Sequence, residues 1–205
     1  MQSVFCTYSR LGLSKQQDKP WAVAGLEYRL ATSYQTLSVY GIFHRFFDQG
    51  LLWKRSGIKL KQINNSEEKV PSWSWMAYDG EICYHYVPMD GLSRKGDFEF
   101  RYAERCNLAA PLKCVSLFHP LEQCEDTNYR IRETENGLTG WVRYDDNRGQ
   151  ENTDCLEYVV ILERPSGLTY GLLVEAVRNQ EYRRIGVIAV EGKHGGPERE
   201  QVIVI

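Results

Sequence analysis

From residue 71 onward the chain is built of short runs rich in Val, Ile, Tyr and Trp, separated by clusters of Gly, Asn and Asp. Such runs read as strands and the clusters between them as turns. They cover Glu81–Val87, Phe98–Arg105, Lys113–Phe118, Leu138–Tyr144, Leu156–Glu163, Thr169–Val177, Arg184–Val190 and Gln201–Ile205. No helical periodicity intervenes, so an antiparallel sandwich or barrel is predicted for 71–205. No internal repeat of fixed period is present.

The first quarter has a different rhythm. Asp18 is placed to cap a helix, and Pro20 falls in the first turn, where a missing N–H costs little. Trp21, Ala24 and Tyr28 then recur at helical spacing, with Leu26 and Leu30 beside them, and predict a buried stripe. A second helix is expected from Gln35 to Phe47, its stripe made of Leu37, Tyr40, Phe43 (or His44) and Phe47, with Gly50 as its C-terminal stop. Residues 1–56 thus read as a helical layer and the lysine-rich 57–70, with Asn64-Asn65-Ser66, as a linker. The fold class expected is α+β, with a short N-terminal helical layer packed on an antiparallel β sandwich or barrel.

Composition narrows the functions open to such a chain. With 42% hydrophobic and 25% charged residues over 205 positions, disordered and low-complexity classes are excluded. A formal charge of −2 argues against a general binder of nucleic acid or anionic membrane. The charge is divided, however: residues 1–70 carry +5 and residues 71–205 carry −7, so the two regions attract one another or a partner. No leader is visible at the N-terminus and no apolar run is long enough to span a bilayer, so a cytoplasmic protein is expected. There its six cysteines (Cys6, Cys83, Cys106, Cys114, Cys124, Cys155) would be free thiols.

Motifs that would announce a chemistry fail on spacing. Around Gly192-Lys193 the earlier Gly186 is one position too distant for a phosphate loop, and His194 stands where a hydroxyl is needed. The turn at Asp145-Asp146 begins like a calcium loop but has Gln150 and Leu156 where Gly and Glu are required. Cys83 and His85 share one face of a predicted strand, as a nucleophile and base or two metal ligands would, yet no third partner is identifiable. Cys106, Cys114, Cys124 and His119 lack metal-binding spacing. The carboxylate pairs Glu125/Asp126 and Asp145/Asp146 fall in turns, where solvated carboxylates are expected. The sequence therefore assigns no catalytic, cofactor or metal residue.

The densest special feature is Pro71-Ser72-Trp73-Ser74-Trp75-Met76-Ala77-Tyr78-Asp79-Gly80. On an extended backbone Trp73 and Trp75 would share one face, either buried between the helical layer and the sheet or exposed as a platform for a sugar or a base. Burial is the favoured reading. Trp53 and Asp79 complete the candidate residues, Asp79 through the turn it makes with Gly80.

Pro-Ser-Trp-Ser-Trp-(x)3-Asp-Gly at 71–80, preceded by Gly50-Leu51-Leu52-Trp53, resembles the pattern of fungal heterokaryon-incompatibility (HET) domain proteins. Tyr8-Ser9-Arg10-Leu11-Gly12-Leu13-Ser14, Gly171-Leu172-Leu173-Val174 and Tyr182-Arg183-Arg184-Ile185-Gly186 are similar to flanking blocks of that family. The blocks of the family's upstream portion have no counterpart, so any NAD-cleaving residues it holds are not carried over. The resemblance implies a non-catalytic regulatory or recognition region acting in self/non-self recognition. Its partner would be another protein or the upstream HET portion, with no cofactor, nucleic acid or membrane involved. A carbohydrate- or small-ligand-binding β domain is the alternative.

Overall fold

The computed structural model describes residues 2–57, 60–63, 70–99, 107–117, 119–124, 128–132, 137–146, 154–178, 180–192 and 201–205. Three short helices precede the sheet: α1 (Gln2–Ser9), α2 (Lys19–Tyr34) and α3 (Phe47–Leu51). Helix α2 starts where the sequence places it, after Asp18 and with Pro20 in its first turn, although no Asp18 side-chain hydrogen bond caps it. It stops because Gln35 adopts a left-handed conformation (φ 50°).

Beyond that stop the expected helix over Gln35–Phe47 does not form. Strands β1 (Ser38–Val39) and β2 (Ile42–Phe43) make an antiparallel ribbon instead. Tyr40 and Gly41 turn it with φ of 48° and 78°, the twin positive values of a tight hairpin. The β-branched and aromatic content of this stretch matches the ribbon better than a helix. Gly41 is required twice over, since a Cβ there would also lie 2.5 Å from the Trp75 indole nitrogen. Gly50, expected as a helix stop, lies buried inside α3.

The central sheet gives the α+β architecture its body. Its long strands are β9 (Asn107–Ser116), β12 (Thr139–Tyr144), β13 (Cys155–Glu163), β14 (Thr169–Arg178), β15 (Glu181–Glu191) and β16 (Gln201–Val204). Strands β13, β14 and β15 form an antiparallel meander, and β9 adds to β13. Strand β16 then pairs antiparallel with β9 and parallel with the first residues of β15, Glu181 and Tyr182. Five strands thereby close into a ring. The far half of β15 pairs instead with β12, which is followed outward by β11 (Tyr129–Ile131) and β10 (Glu122–Gln123). Gly186 marks the changeover, where a Cβ would strike the Arg143 carbonyl at 2.4 Å. Smaller strands trim the body: β3 (Trp53–Arg55) pairs with β6 (Ile82–Tyr84), β4 (Lys61–Gln62) with β5 (Tyr78–Asp79), β7 (Ser93–Arg94) with β13, and β8 (Asp97–Glu99) with β9. The rest of the expected strand 98–105 lies outside the described residues, as do Cys106, His194 and the Asn64-Asn65-Ser66 sequon.

The middle strands read as unbroken apolar runs because both of their faces are covered. Val159, Ile161, Leu172, Val174, Val187 and Ala189 face one core with Ile42, Phe47, Leu51, Leu52 and Trp73 of the N-terminal layer. Tyr158, Val160, Leu173, Ile188 and Val190 face a second core closed by β11 and β12 through Tyr129, Ile131, Val142 and Tyr144. A third cluster, with Phe5, Val23, Phe43, Trp53, Trp75 and Ile82, holds the helices to the ribbons. Each fully buried aliphatic side chain here contributes about 1.5–3 kcal/mol. Within 57–70, Leu60 is buried, its N–H donating to the Asp145 carbonyl (3.0 Å), and Ile63 N–H donates to Ala77 (2.8 Å). No helix among the described residues is long and apolar enough to cross a membrane.

Cysteine pairing departs from the expectation of free thiols. Cys114 opposes Glu157 and Cys155 opposes Ser116 in the β9–β13 ladder, so the two cysteines are diagonal neighbours. Their Cα atoms are 6.3 Å apart, within bridging range, and they form a disulfide. Cys6, Cys83 and Cys124 are free thiols.

Candidate functional site

Helix α2 buries only part of the apolar surface the sequence predicted for its core. Lys19 and Val23 are buried, and Leu26, Leu30 and Ala31 pack on the third cluster. Trp21 and Tyr28, predicted interior, are 72% and 74% exposed. The helix has two apolar stripes nearly half a turn apart, and the one through Val23 won the core. The other becomes a wall.

That wall and the β1–β2 ribbon enclose an open groove of about 730 Å³. Trp21, Ala24 and Tyr28 line it from the helix, Leu37, Val39 and Tyr40 from the ribbon, and Met76 from below. Leu37 is 66% exposed. Trp21, Tyr28 and Leu37 together give the groove an exposed apolar lining. Glu27 reaches the groove as well, its carboxylate accepting the Gly41 N–H at 3.1 Å and a hydrogen bond from the Ser38 hydroxyl. Burial pushes the Glu27 carboxyl up, and those two hydrogen bonds oppose the rise. The sequence signalled the aromatic residues of this site but assigned them to the core. Glu27 carried no signal of its own, since a lone glutamate in a helix is ordinarily solvated.

The residues singled out in sequence lie elsewhere, in the interior. Trp73 and Trp75 are both fully buried, so neither presents a face to a ligand. They do not share a face: Ser72 to Ala77 turns rather than extends, with a short helical turn at Trp75–Ala77 capped by Ser74. Trp73 consequently joins the core against the sheet and Trp75 the core under the helices. Trp53 donates from its indole to the Trp73 carbonyl at 2.8 Å. Asp79 ends β5 and holds the buried Lys19 ammonium electrostatically. Lys19 Nζ donates to the Tyr78 carbonyl at 2.5 Å and sits 4.8 Å from the Trp75 ring centroid. Burial lowers its pKa to about 8, Asp79 opposing.

A second polar centre joins layer to barrel. Arg184 of β15 has no exposed side-chain surface and pairs with Asp145 at 3.0 Å. Its other nitrogens donate to the carbonyls of Leu51 (2.8 Å) and Trp53 (2.5 Å), and its guanidinium lies 3.2 Å from the Trp53 ring centroid. Asp145 is therefore buried, not the solvated turn residue the sequence suggested. Burial raises its carboxyl more than Arg184 lowers it. Ser72 completes the junction by accepting the Arg184 N–H (2.9 Å) and donating its own N–H to the Ile205 carbonyl (3.0 Å). These bonds tie β15 to the segments at 51–53, 72 and 145.

Cys83 and His85 assemble no reactive pair. His85 packs against Trp141 (4.7 Å) and Tyr170 (5.7 Å), and burial, aided by Lys54, lowers its pKa to about 4. Cys83 Sγ is directed at the Arg55 carbonyl, 3.9 Å away. Among the described residues no three His, Cys, Asp or Glu side chains are grouped to hold a metal. A scan of protein-family models finds no match to the chain, and searches of curated proteins and of solved structures find none either.

Proposed function

We propose that this chain is a non-catalytic recognition module whose working surface is the groove between α2 and the β1–β2 ribbon. The observation that carries the reading is the exposure of Trp21, Tyr28 and Leu37 together, on a framework that buries Trp53, Trp73 and Trp75 completely. A fold able to inter three indoles has no need to leave these side chains wet. Aromatic rings at a rimmed concavity are the residues that dominate protein interfaces. The occupant is an apolar segment of a protein partner. The resemblance of residues 50–80 to fungal heterokaryon-incompatibility proteins supports this reading, and with it a role in self/non-self recognition. The carbohydrate-platform alternative loses its proposed platform, because Trp73 and Trp75 are interior.

Photo-crosslinking tests the assignment. A benzoylphenylalanine replacing Tyr28 is expected to form a polypeptide adduct in the source cell, and one replacing exposed Arg130 of β11 is not. Trp21→Ser should remove the adduct from position 28. Equal labelling from both positions, or none from position 28, refutes the groove as the working surface.

A further inference from the structure

We propose that the groove receives a cationic side chain of the partner, an ammonium or guanidinium on an apolar stem, with Glu27 as its counter-charge; the proposal rests on the recognition reading above. Glu27 is the one formally charged side chain among the described residues lining the groove, and no lysine or arginine lines it. Its neighbours one turn away along α2 are Val23, Ala24, Leu30 and Ala31, so the helix supplies no cation within pairing reach. A negative charge is therefore held against an apolar floor with hydrogen bonds but no counter-charge from the groove's own walls.

Pinning the Tyr40–Gly41 turn does not by itself require that charge. An uncharged carboxamide oxygen would accept the Gly41 N–H equally well and escape the cost of burying an anion. The carboxylate has about four acceptor positions, and the Gly41 and Ser38 bonds use two. The remaining capacity meets an occupant entering between the rings of Trp21, Tyr28 and Tyr40. Aromatic faces favour a cation over a neutral group of equal size. The upward pull of burial on the Glu27 carboxyl adds to the same demand, because an arriving cation would reverse it.

The test uses the full chain with 4-phenylbutylammonium and 4-phenylbutan-1-ol, followed by two-dimensional NMR at the amides of residues 21, 28 and 41. The ammonium is expected to bind about tenfold more tightly than the alcohol, a preference of about 1.4 kcal/mol. Glu27→Gln should bring the two to equal affinity, and added salt should weaken only the ammonium. Tyr28→Ser, which leaves the Glu27 bond to the turn in place, should weaken both probes alike, and unchanged binding of both to it overturns the site. Equal binding of both probes to the unmodified protein overturns the cation site while leaving apolar recognition standing. No perturbation by either probe overturns both. In the crosslinked partner, a peptide without lysine or arginine beside the adduct likewise overturns the cation site.

Discussion

Replacing Arg184 by Met removes the charge that holds the N-terminal layer to the barrel while keeping most of the side-chain volume. Arg184 and Asp145 have 0% and 6% of their side-chain surface exposed, so the substitution strands a carboxylate in the interior. Breaking a buried pair from one side costs roughly 3–5 kcal/mol. The carbonyls of Leu51 and Trp53 also lose their donors, each worth about 1–3 kcal/mol when left unsatisfied. These losses overlap, and a total of about 5 kcal/mol is expected. For a chain of this size that is roughly a 10–20 °C fall in melting temperature. Adding Asp145→Leu removes the stranded anion and should restore about 3 kcal/mol, leaving the carbonyl losses. Urea unfolding at pH 7, followed by far-ultraviolet circular dichroism and by tryptophan fluorescence, measures both. A loss below about 1 kcal/mol for Arg184→Met, or a double variant no more stable than the single one, would refute the hub.

Truncating either interior indole should be costly and truncating the exposed one should not. Trp73→Ala and Trp75→Ala are each expected to lose about 3–5 kcal/mol, and Trp21→Ala less than about 0.5 kcal/mol, by thermal melts of the three variants. Lys19 gives a pH signature. Its folded pKa of about 8 lies below the ordinary 10.5, so between those values the unfolded chain binds more protons and stability rises with pH. Relative to Lys19→Met, the unmodified protein should gain at most about 3 kcal/mol across that interval, read by urea titrations at pH 7.5, 9 and 10. A flat difference would show that Lys19 titrates normally.

The strands of the barrel were legible because their apolar runs are bounded by turn residues: Thr169–Arg178 begins after Pro165-Ser166-Gly167, and Cys155–Glu163 ends just before it. What resisted reading was the choice between competing periodicities. Helix α2 offers stripes at Trp21/Ala24/Tyr28 and at Lys19/Val23/Leu26/Leu30, and the second wins because α1 and the Trp75 turn pack there. A lysine in the winning stripe concealed it, since its acceptor, the Tyr78 carbonyl, is 59 residues away. Likewise Leu37, Tyr40 and Phe43 fit a helix on spacing, and only the positive φ at Tyr40 and Gly41 makes a ribbon of them. Arg184 looked like one more basic residue in a strand, because its partners come from three separated segments, at 51–53, 72 and 145. The turn at Asp145 appeared solvated for the same reason: local composition does not report what a distant strand brings to it.

The stave that shuts the ring, Gln201–Val204, leaves a ribosome after every strand it pairs with. Until it arrives, β9 and the start of β15 lack the partner they share, and Ser72 waits for an acceptor 133 residues downstream. Vectorial synthesis therefore yields helices and a meander first and the sealed body only once Gln201–Val204 has emerged. Contacts of such sequence separation delay folding. The open strand edges of the nascent chain are where a holding chaperone would bind and where premature self-association would start.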